Sequence, residues 1–253
     1  MSHPHISIIV TAFLAKSKPY LDLCVASIAS LDYPKDKLEV IIVSPYGYNN
    51  SYEGCQTMHP RTNDFNNAHA LNFGMAMADK RSEYFFLLND DVILTKHSLK
   101  NLVTSAQSIN DMGIFMPIGN DQQGKYFIGL PIPIGPYRLE NIKDCASDMM
   151  NLQSPYRQGL MFFNELCLYA VLIPRHVINK VGGFDEANVG KDDWDYSYRV
   201  TKAGYVNAIC LNSLCWHAGG VTSSITFTDE MRKQSQEQFD QKWSKENDPT
   251  TSS

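Results

Sequence analysis

The chain has 253 residues, of which 43% are hydrophobic and 19% are charged. These values are ordinary for a globular protein, so they exclude a disordered tail and a fibrous chain. The formal net charge of -5 argues against the broad basic surface of a nucleic-acid-binding protein and against strong attachment to an anionic membrane. The length allows one large domain or two small ones.

The N-terminal sequence and the cysteines indicate the compartment. Residues 1–13 lack the basic segment, the long apolar run and the small-residue cleavage site of a secretory signal. No uncharged apolar stretch reaches the roughly 18 residues that a membrane-spanning helix needs. The six cysteines form no C-x-x-C pair that would suggest zinc or dithiol chemistry. We therefore expect a cytoplasmic protein with reduced thiols, while peripheral association with a membrane enzyme complex stays open.

Strands and helices alternate in the first half of the chain. Continuously apolar, β-branched or aromatic runs predict strands at 6–13, 38–43 and 84–88. Apolar or small residues at helical spacing predict helices at 20–31, 68–78 and 96–108. The order predicts an α/β protein that opens with a β-α-β unit.

The second half changes in character. Four prolines and several glycines between 119 and 159 predict irregular loops. Beyond them the pattern predicts a strand, a helix and a second strand, at 166–173, 193–202 and 205–211. The last 25 or so residues are polar and amphipathic, and 247–253 are expected to form a flexible tail.

The triplet Asn89-Asp90-Asp91 follows the third predicted strand. Ligands of open α/β sheets collect at the carboxyl ends of the strands, which favours a site here. Closely spaced hard oxygen ligands of this type bind Mg²⁺ or Mn²⁺ together with phosphate oxygens. An acidic turn that only caps the following helix would show the same sequence pattern.

Three carboxylates crowd the start of a predicted helix in the segment Lys191-Asp192-Asp193-Trp194-Asp195. A helix N-terminus stabilises anions through its free amides and its dipole, which accounts for one of the acids. Three exceed what a cap requires. A carboxylate held there could remove a proton from an incoming hydroxyl group.

His217 follows an apolar strand in the phrase CWHAGG. A neutral imidazole is an acceptable Mn²⁺ ligand, and the adjoining glycines would let the backbone approach a ligand, although a lone histidine is usually structural. The chain contains neither G-x-G-x-x-G nor a P-loop nor a G-x-S-x-G elbow. A dinucleotide oxidoreductase, a P-loop enzyme and a serine hydrolase are therefore disfavoured.

The joint order of these pieces resembles the family-2 glycosyltransferases with the GT-A fold. The matching segments extend from residue 7 to residue 220: SIIVTAF, EVIIV, ALNFGMAMA, YFFLLNDDV, VGGFDE, DDWDYSYRVTKAGY and WHAGG. The KW pair at 242–243 is also similar to a common family ending. The resemblance implies a Rossmann-type, mixed and mainly parallel sheet flanked by helices. It implies a single domain over 1–246, with a donor half at 1–118 and an acceptor half at 119–246.

The resemblance also implies roles for individual residues. Asp91 matches the last acid of the D-x-D motif, a direct ligand of Mn²⁺ or Mg²⁺, and His217 matches a histidine that completes the metal or diphosphate site. Asp193 matches the general base of inverting members, and Asp192 and Trp194 would contact the acceptor. The residues expected to bind the nucleotide sugar are Thr11, Ala12, Phe13, Ser44, Asn67, Asn72, Asn89 and Asp90. The reaction implied is transfer of a sugar from a nucleotide-sugar donor to a saccharide or other hydroxyl acceptor, with inversion.

Two departures from the family pattern leave alternatives open. An acidic turn after the second strand is replaced by Ser44-Pro45-Tyr46-Gly47, and a basic residue before the helical asparagine is replaced by Leu71. Tyr46 or Tyr48 is a candidate for stacking on the base. The base stays undetermined, and a noncatalytic sugar-nucleotide or glycan-binding module and a retaining transferase on the same fold are the alternatives.

Overall fold

The computed structural model describes residues 3–13, 17–45, 51–61, 66–119, 141–188, 190–219 and 228–244. The strands are β1 (Ile6–Thr11), β2 (Leu38–Val43), β3 (Gln56–Met58), β4 (Tyr84–Asn89), β5 (Val92–Leu94), β6 (Met112–Ile118), β7 (Leu160–Phe162), β8 (Ala170–Pro174) and β9 (Val206–His217). The helices are α1 (Lys18–Ala29), α2 (Asn67–Met77), α3 (Ser98–Ala106), α4 (Ile142–Asn151), α5 (Arg175–Val181), α6 (Asp192–Lys202) and α7 (Asp229–Ser244). The expected α/β class is confirmed.

One mixed sheet organises the described residues. Its strand order is β3-β2-β1-β4-β8-β6-β9-β5, with β7 paired to β9. The ladder from β3 to β4 is parallel, while β8 runs antiparallel to β4. Parallel strands joined by α1 and α2 bury both faces of the sheet, which is why β1 is mostly apolar and buried along its whole length and why the middle of β4 is apolar and buried. The carboxyl ends of β1, β2, β3 and β4 consequently lie along one edge.

The prediction of irregular loops for 119–159 is wrong for the segment that forms α4. Ile142, Ala146 and Met149 are buried at the i, i+4 and i+7 positions of this helix. The intervening residues are polar, and prolines stand on both sides of the segment in the sequence, so the helical period was obscured. Residues 120–140, from the same stretch, lie outside the described residues.

Two further strands correct the sequence-based prediction. Strand β6 is buried along its whole length in the centre of the sheet, where the sequence pattern predicts no strand. Strand β9 continues six residues beyond the predicted end at 211 and includes His217. Its early part pairs with β6 and β7, and its last part pairs with β5. The expected tail at 247–253 and the candidate stacking residues Tyr46 and Tyr48 lie outside the described residues.

The C-terminal helix α7 is attached to α6 through Asp195. The carboxylate of Asp195 is fully buried and accepts hydrogen bonds from Arg199 Nε at 2.9 Å and from Trp243 Nε1 at 3.2 Å. Lys242 Nζ lies 2.8 Å from the same carboxylate and 2.8 Å from Asp185. The KW pair therefore fastens α7 to the acidic start of α6.

We expect Asp195→Ala to destabilise the protein by about 3 kcal/mol, because removing one partner of a buried, hydrogen-bonded charge leaves the others unsatisfied. Chemical denaturation measures this loss. Asp240→Asn is the matched control, since Asp240 is exposed on α7 and its substitution should change stability by less than about 0.5 kcal/mol. Equal stability of the two variants would show that Asp195 does not fasten the helix.

Candidate functional site

The candidate site lies where the parallel strands end. Thr11 and Asn89 are paired at the last positions of β1 and β4, and the amide of Ala12 donates to the carbonyl of Val43 at the end of β2. In open α/β sheets this edge is the place where ligands bind. The sequence-predicted residues Thr11, Ala12, Ser44 and Asn89 are thereby collected at one edge.

Pairing of β5 with β9 brings Asp91 and His217 together. Val92 lies opposite His217 in this antiparallel ladder, and the amide of Ala218 donates to the Asp91 carbonyl at 3.1 Å. His217 Nε2 is 3.2 Å from Asp91 Oδ1. The imidazole also stacks on the ring of Tyr169, with ring centroids 4.4 Å apart. Two residues 126 positions apart in the sequence are thus held in contact by the sheet.

The chemistry of this pair fits a divalent cation. Two neighbouring ligands of an octahedral ion at 2.0–2.1 Å stand about 3 Å apart, which is close to the 3.2 Å between Asp91 and His217. Within the described ranges, no cluster of three or more histidine, cysteine or acidic side chains forms a candidate metal site. A cation held by Asp91 and His217 would therefore need further ligands, such as the phosphate oxygens and waters that commonly complete Mg²⁺ sites.

Asp90 makes different contacts from its neighbour Asp91. Its buried carboxylate accepts hydrogen bonds from the Ser17 hydroxyl and from the amide of Phe13, both in the segment after β1. Burial raises the pKa of Asp90 to about 7. The structure therefore uses Asp90 to hold the entry to α1 beside the end of β4.

The start of α6 presents Asp193. Its carboxylate accepts hydrogen bonds from the amides of Trp194, at 2.8 Å, and of Leu168. Burial, together with the charge of Asp192, raises the pKa of Asp193. Burial likewise raises the pKa of Asp192. A carboxylate with a raised pKa is a stronger base than an ordinary aspartate and suits proton abstraction near neutral pH.

Asn67 connects the two parts of the site. The buried Thr11 hydroxyl donates to Asn67 Oδ1 at 3.1 Å, and Asn67 Nδ2 donates to Asp192 Oδ2 at 3.3 Å. Asn67 is the first residue of α2. This line of two hydrogen bonds fixes the acidic start of α6 beside the edge where β1 and β4 end.

Trp194 belongs to an aromatic group between α6 and α7. The Lys191 ammonium lies 3.4 Å from the centre of the Trp194 ring, and Phe239 meets that ring edge-on with centroids 5.8 Å apart. The ring is half-buried. An aromatic face beside a base is able to pack against the apolar side of an acceptor.

Hydrogen bonds of the Asn72 side chain link α2 to the turn at 182–186. Its side chain accepts from the Phe184 amide at 2.8 Å and donates to the Phe184 carbonyl at 2.9 Å and to Glu186 at 2.8 Å. A Cβ on Gly183 would stand 2.4 Å from the Asn72 oxygen, so the turn requires glycine there. Arg199 Nη2 also donates to the Gly183 carbonyl at 2.9 Å. The contacts that the structure gives Asn72 thus position the segment leading to Asp193.

Sequence reasoning missed two contributors to this region. Leu168 supplies an amide to Asp193, and it could not be found because a backbone donor leaves no residue-type signal. His59 was missed as well. It follows β3 directly, and because the sequence pattern predicts no strand at 56–58, no signal marks this position.

The family model described as glycosyltransferase like family 2 matches residues 3–236. The chain belongs to this family. The match includes every site residue described above. No curated protein sequence matches the chain significantly.

Solved structures show the same fold at low sequence identity. Residues 1–349 of S. aureus TarS, in complex with UDP-GlcNAc, are 13% identical, with a TM-score of 0.61 over 90% of this chain and 64% of that one. A mannosyltransferase from Pyrobaculum calidifontis, in complex with GDP-Man and Mn²⁺, is 17% identical, with a TM-score of 0.58 over 86% of this chain and 57% of that one. The family-2 chain described here thus has the GT-A fold and spans 64% and 57% of these two solved chains. Among its described residues, no helix has the length and apolar character needed to cross a membrane.

Proposed function

We propose that the protein is a metal-dependent, inverting glycosyltransferase that moves a sugar from a nucleotide-sugar donor to a hydroxyl acceptor. The observation that carries the proposal is the Thr11–Asn67–Asp192 line, which fixes the acidic start of α6 beside the edge where β1 and β4 end. Family membership supports the reaction class. The two neighbours with UDP-GlcNAc and with GDP-Man and Mn²⁺ support a nucleotide-sugar donor and a divalent ion.

In this proposal the donor half, 1–118, holds the nucleotide sugar along the ends of the parallel strands. Asp91 and His217 are the residues that would hold Mn²⁺ or Mg²⁺. When bound, the ion would supply positive charge to offset the charge that develops on the departing nucleoside diphosphate. Thr11, Ala12, Phe13 and Asn89 border the donor. Asn67 and Asp90 support this border through their contacts to Thr11 and Phe13. The Ser44 amide donates to the Met58 carbonyl at the ends of β2 and β3, and Asn72 positions the segment that leads to Asp193.

The acceptor half, 119–246, supplies the base. Asp193 removes the proton of the acceptor hydroxyl as its oxygen attacks the anomeric carbon on the face opposite the leaving group. The carboxylate is fixed by the Leu168 and Trp194 amides, so it needs little reorganisation at the moment of transfer. Asp192 and Trp194 border the acceptor. Attack from the opposite face inverts the anomeric configuration.

We place this activity in the cytoplasm. No disulfide bond joins the six cysteines, all of which lie in the described part of the chain. Reduced thiols are typical of that compartment. We propose no nucleic-acid partner.

Thermal unfolding with a panel of nucleoside diphosphates and nucleotide sugars, each with and without Mn²⁺, tests the proposal. A ligand that binds only the folded state raises the unfolding midpoint, by an amount equivalent to about 2.7 kcal/mol at 100 times its Kd. We expect a shift for one nucleotide that requires Mn²⁺. No shift with any panel member, for a protein that unfolds cooperatively, would contradict the proposal.

A further inference from the structure

The side chain of His59 stands at the carboxyl end of β3 beside Ser44. Val43 and Met58 are the last paired residues of β2 and β3, and the Ser44 amide donates to the Met58 carbonyl at 3.1 Å. Ser44 and His59 are therefore the next residues on the two strands. Ser44 is fully buried, whereas His59 is half-buried and accessible to a ligand.

Two oxygens of Ser44 fix the imidazole of His59. Its Nδ1 is 3.1 Å from the Ser44 hydroxyl oxygen and 3.3 Å from the Ser44 carbonyl oxygen. A carbonyl oxygen only accepts, so this arrangement assigns the proton of the neutral ring to Nδ1. Nε2 is then the acceptor atom of the ring. Ser44 positions the ring and cannot itself reach a ligand without exposure.

The order of the strands indicates which part of a bound donor can reach His59. Neighbouring strands are spaced by about 4.8 Å, so the end of β3 lies about 14 Å along the edge from the end of β4. The metal-binding pair begins two residues after β4, at Asp91. On the other side of β4, β8 is antiparallel and presents its first residue at this edge, so the uninterrupted row of parallel strand ends runs from β4 to β3. A nucleoside extending from a diphosphate at Asp91 along these strand ends reaches β2 and β3 with its base.

We propose that His59, oriented by Ser44, is a specificity-determining residue that accepts a hydrogen bond from an N–H group on the pairing edge of the donor's nucleobase. This inference rests on the proposed function, because it takes the diphosphate to lie at Asp91 and His217. It gives base selection to an imidazole that lies beside Ser44 at the ends of β2 and β3.

Two substitutions distinguish the role of His59 Nδ1 from that of His59 Nε2. His59→Asn keeps a short polar group beside Ser44 and lacks any atom at the place of Nε2. His59→Gln is the matched control, because its longer amide returns a polar group to that place. Calorimetry with Mn²⁺ then compares the wild type and both variants, with UDP, GDP, CDP, ADP and inorganic pyrophosphate as the probes.

We expect the wild type to prefer one of the nucleoside diphosphates. His59→Asn should weaken binding of that nucleotide about tenfold, since a base N–H loses its acceptor, and should leave pyrophosphate binding unchanged. His59→Gln should weaken binding of the preferred nucleotide less than His59→Asn does. Ser44→Ala, which retains the ring and removes one of its two contacts, should weaken the preferred nucleotide in the same direction and provides a second variant if His59→Asn unfolds.

Three results would overturn the inference. Unchanged affinity and preference in His59→Asn, or equal affinity of the wild type for all four nucleoside diphosphates, would remove His59 from base selection and leave the metal site in place. A wild type that binds neither pyrophosphate nor any nucleoside diphosphate with Mn²⁺ would contradict the proposed function itself, and the role of His59 with it.

Discussion

Asp193→Asn should lower the turnover number for sugar transfer by about 10²- to 10⁴-fold, the contribution typical of a general base. Asparagine keeps the shape of the side chain and an oxygen that accepts from the Trp194 amide, but it cannot take a proton. Affinity for the nucleotide sugar should change little, because Asp193 acts on the acceptor. Steady-state transfer kinetics and calorimetry with the donor measure the two quantities separately.

Asp148→Asn is the control for this substitution. Asp148 is exposed on α4, so the same chemical change there should leave transfer at the wild-type rate. Near-normal turnover in Asp193→Asn would show that another group is the base.

The pH dependence of transfer also tests the assignment of Asp193 as the general base. Burial and the charge of Asp192 raise the pKa of Asp193, and the base works only when ionised. The acid limb of kcat/KM should therefore lie above the ordinary aspartate range near 4. An acid limb at or below that range would contradict the assignment.

Stability should move in the opposite direction from activity. A carboxyl whose pKa is higher in the folded state favours folding while it is protonated, and this contribution is lost as the pH rises through the folded-state pKa. At a pH above that value the ionised Asp193 opposes folding. Asp193→Asn should therefore unfold at a higher temperature than the wild type at alkaline pH and show little difference at pH 3. A gain in stability with a loss of activity is typical of functional sites.

Asp91→Asn should weaken Mn²⁺-dependent binding of a nucleoside diphosphate by at least about 100-fold. Loss of residues that only support metal ligands costs 10- to 100-fold in metal affinity, and removal of a ligand's charge should cost no less. The amide retains the shape of Asp91, whose backbone carbonyl contact to Ala218 does not involve the side chain. Calorimetric titration with and without Mn²⁺ measures the effect.

Two comparisons make this second result specific. His217→Gln should show a loss in the same direction, because Nε2 of His217 lies 3.2 Å from Asp91 Oδ1. Asp36→Asn, at an exposed position, should bind as the wild type does. Metal-dependent binding that survives in Asp91→Asn would exclude Asp91 as a ligand.

The early sheet and its edge could be predicted because the information is local. The apolar runs of β1, β2 and β4 and the small residues of α2 have the periods of buried strands and a closely packed helix. The polar triplet that begins with the last residue of β4 then had to lie at a carboxyl edge. Bounds of these elements differ from the prediction by two residues or fewer.

The contacts that complete the site could not be predicted in this way. Asp91 meets His217 because β9 continues past 211 and returns along β5, a pairing between segments more than 120 residues apart. Asp195 appeared only as one of three crowded acids, and its partner Trp243 lies 48 residues away. Tertiary packing determines such long-range pairs, and the local hydrophobic periodicity of the sequence does not indicate them.

Slow hydrolysis of a nucleotide sugar, with water in place of the unknown acceptor, tests the central claim most directly. Proton NMR follows the anomeric signals of an α-linked donor, chosen by the thermal-unfolding panel, in the presence of Mg²⁺, since Mn²⁺ broadens the signals. We expect the β-sugar to appear first, chelation of the metal to stop its release, and Asp193→Asn not to produce it. Release of the α-sugar first would contradict inversion, and no metal-dependent release from a bound donor would contradict catalysis by this site.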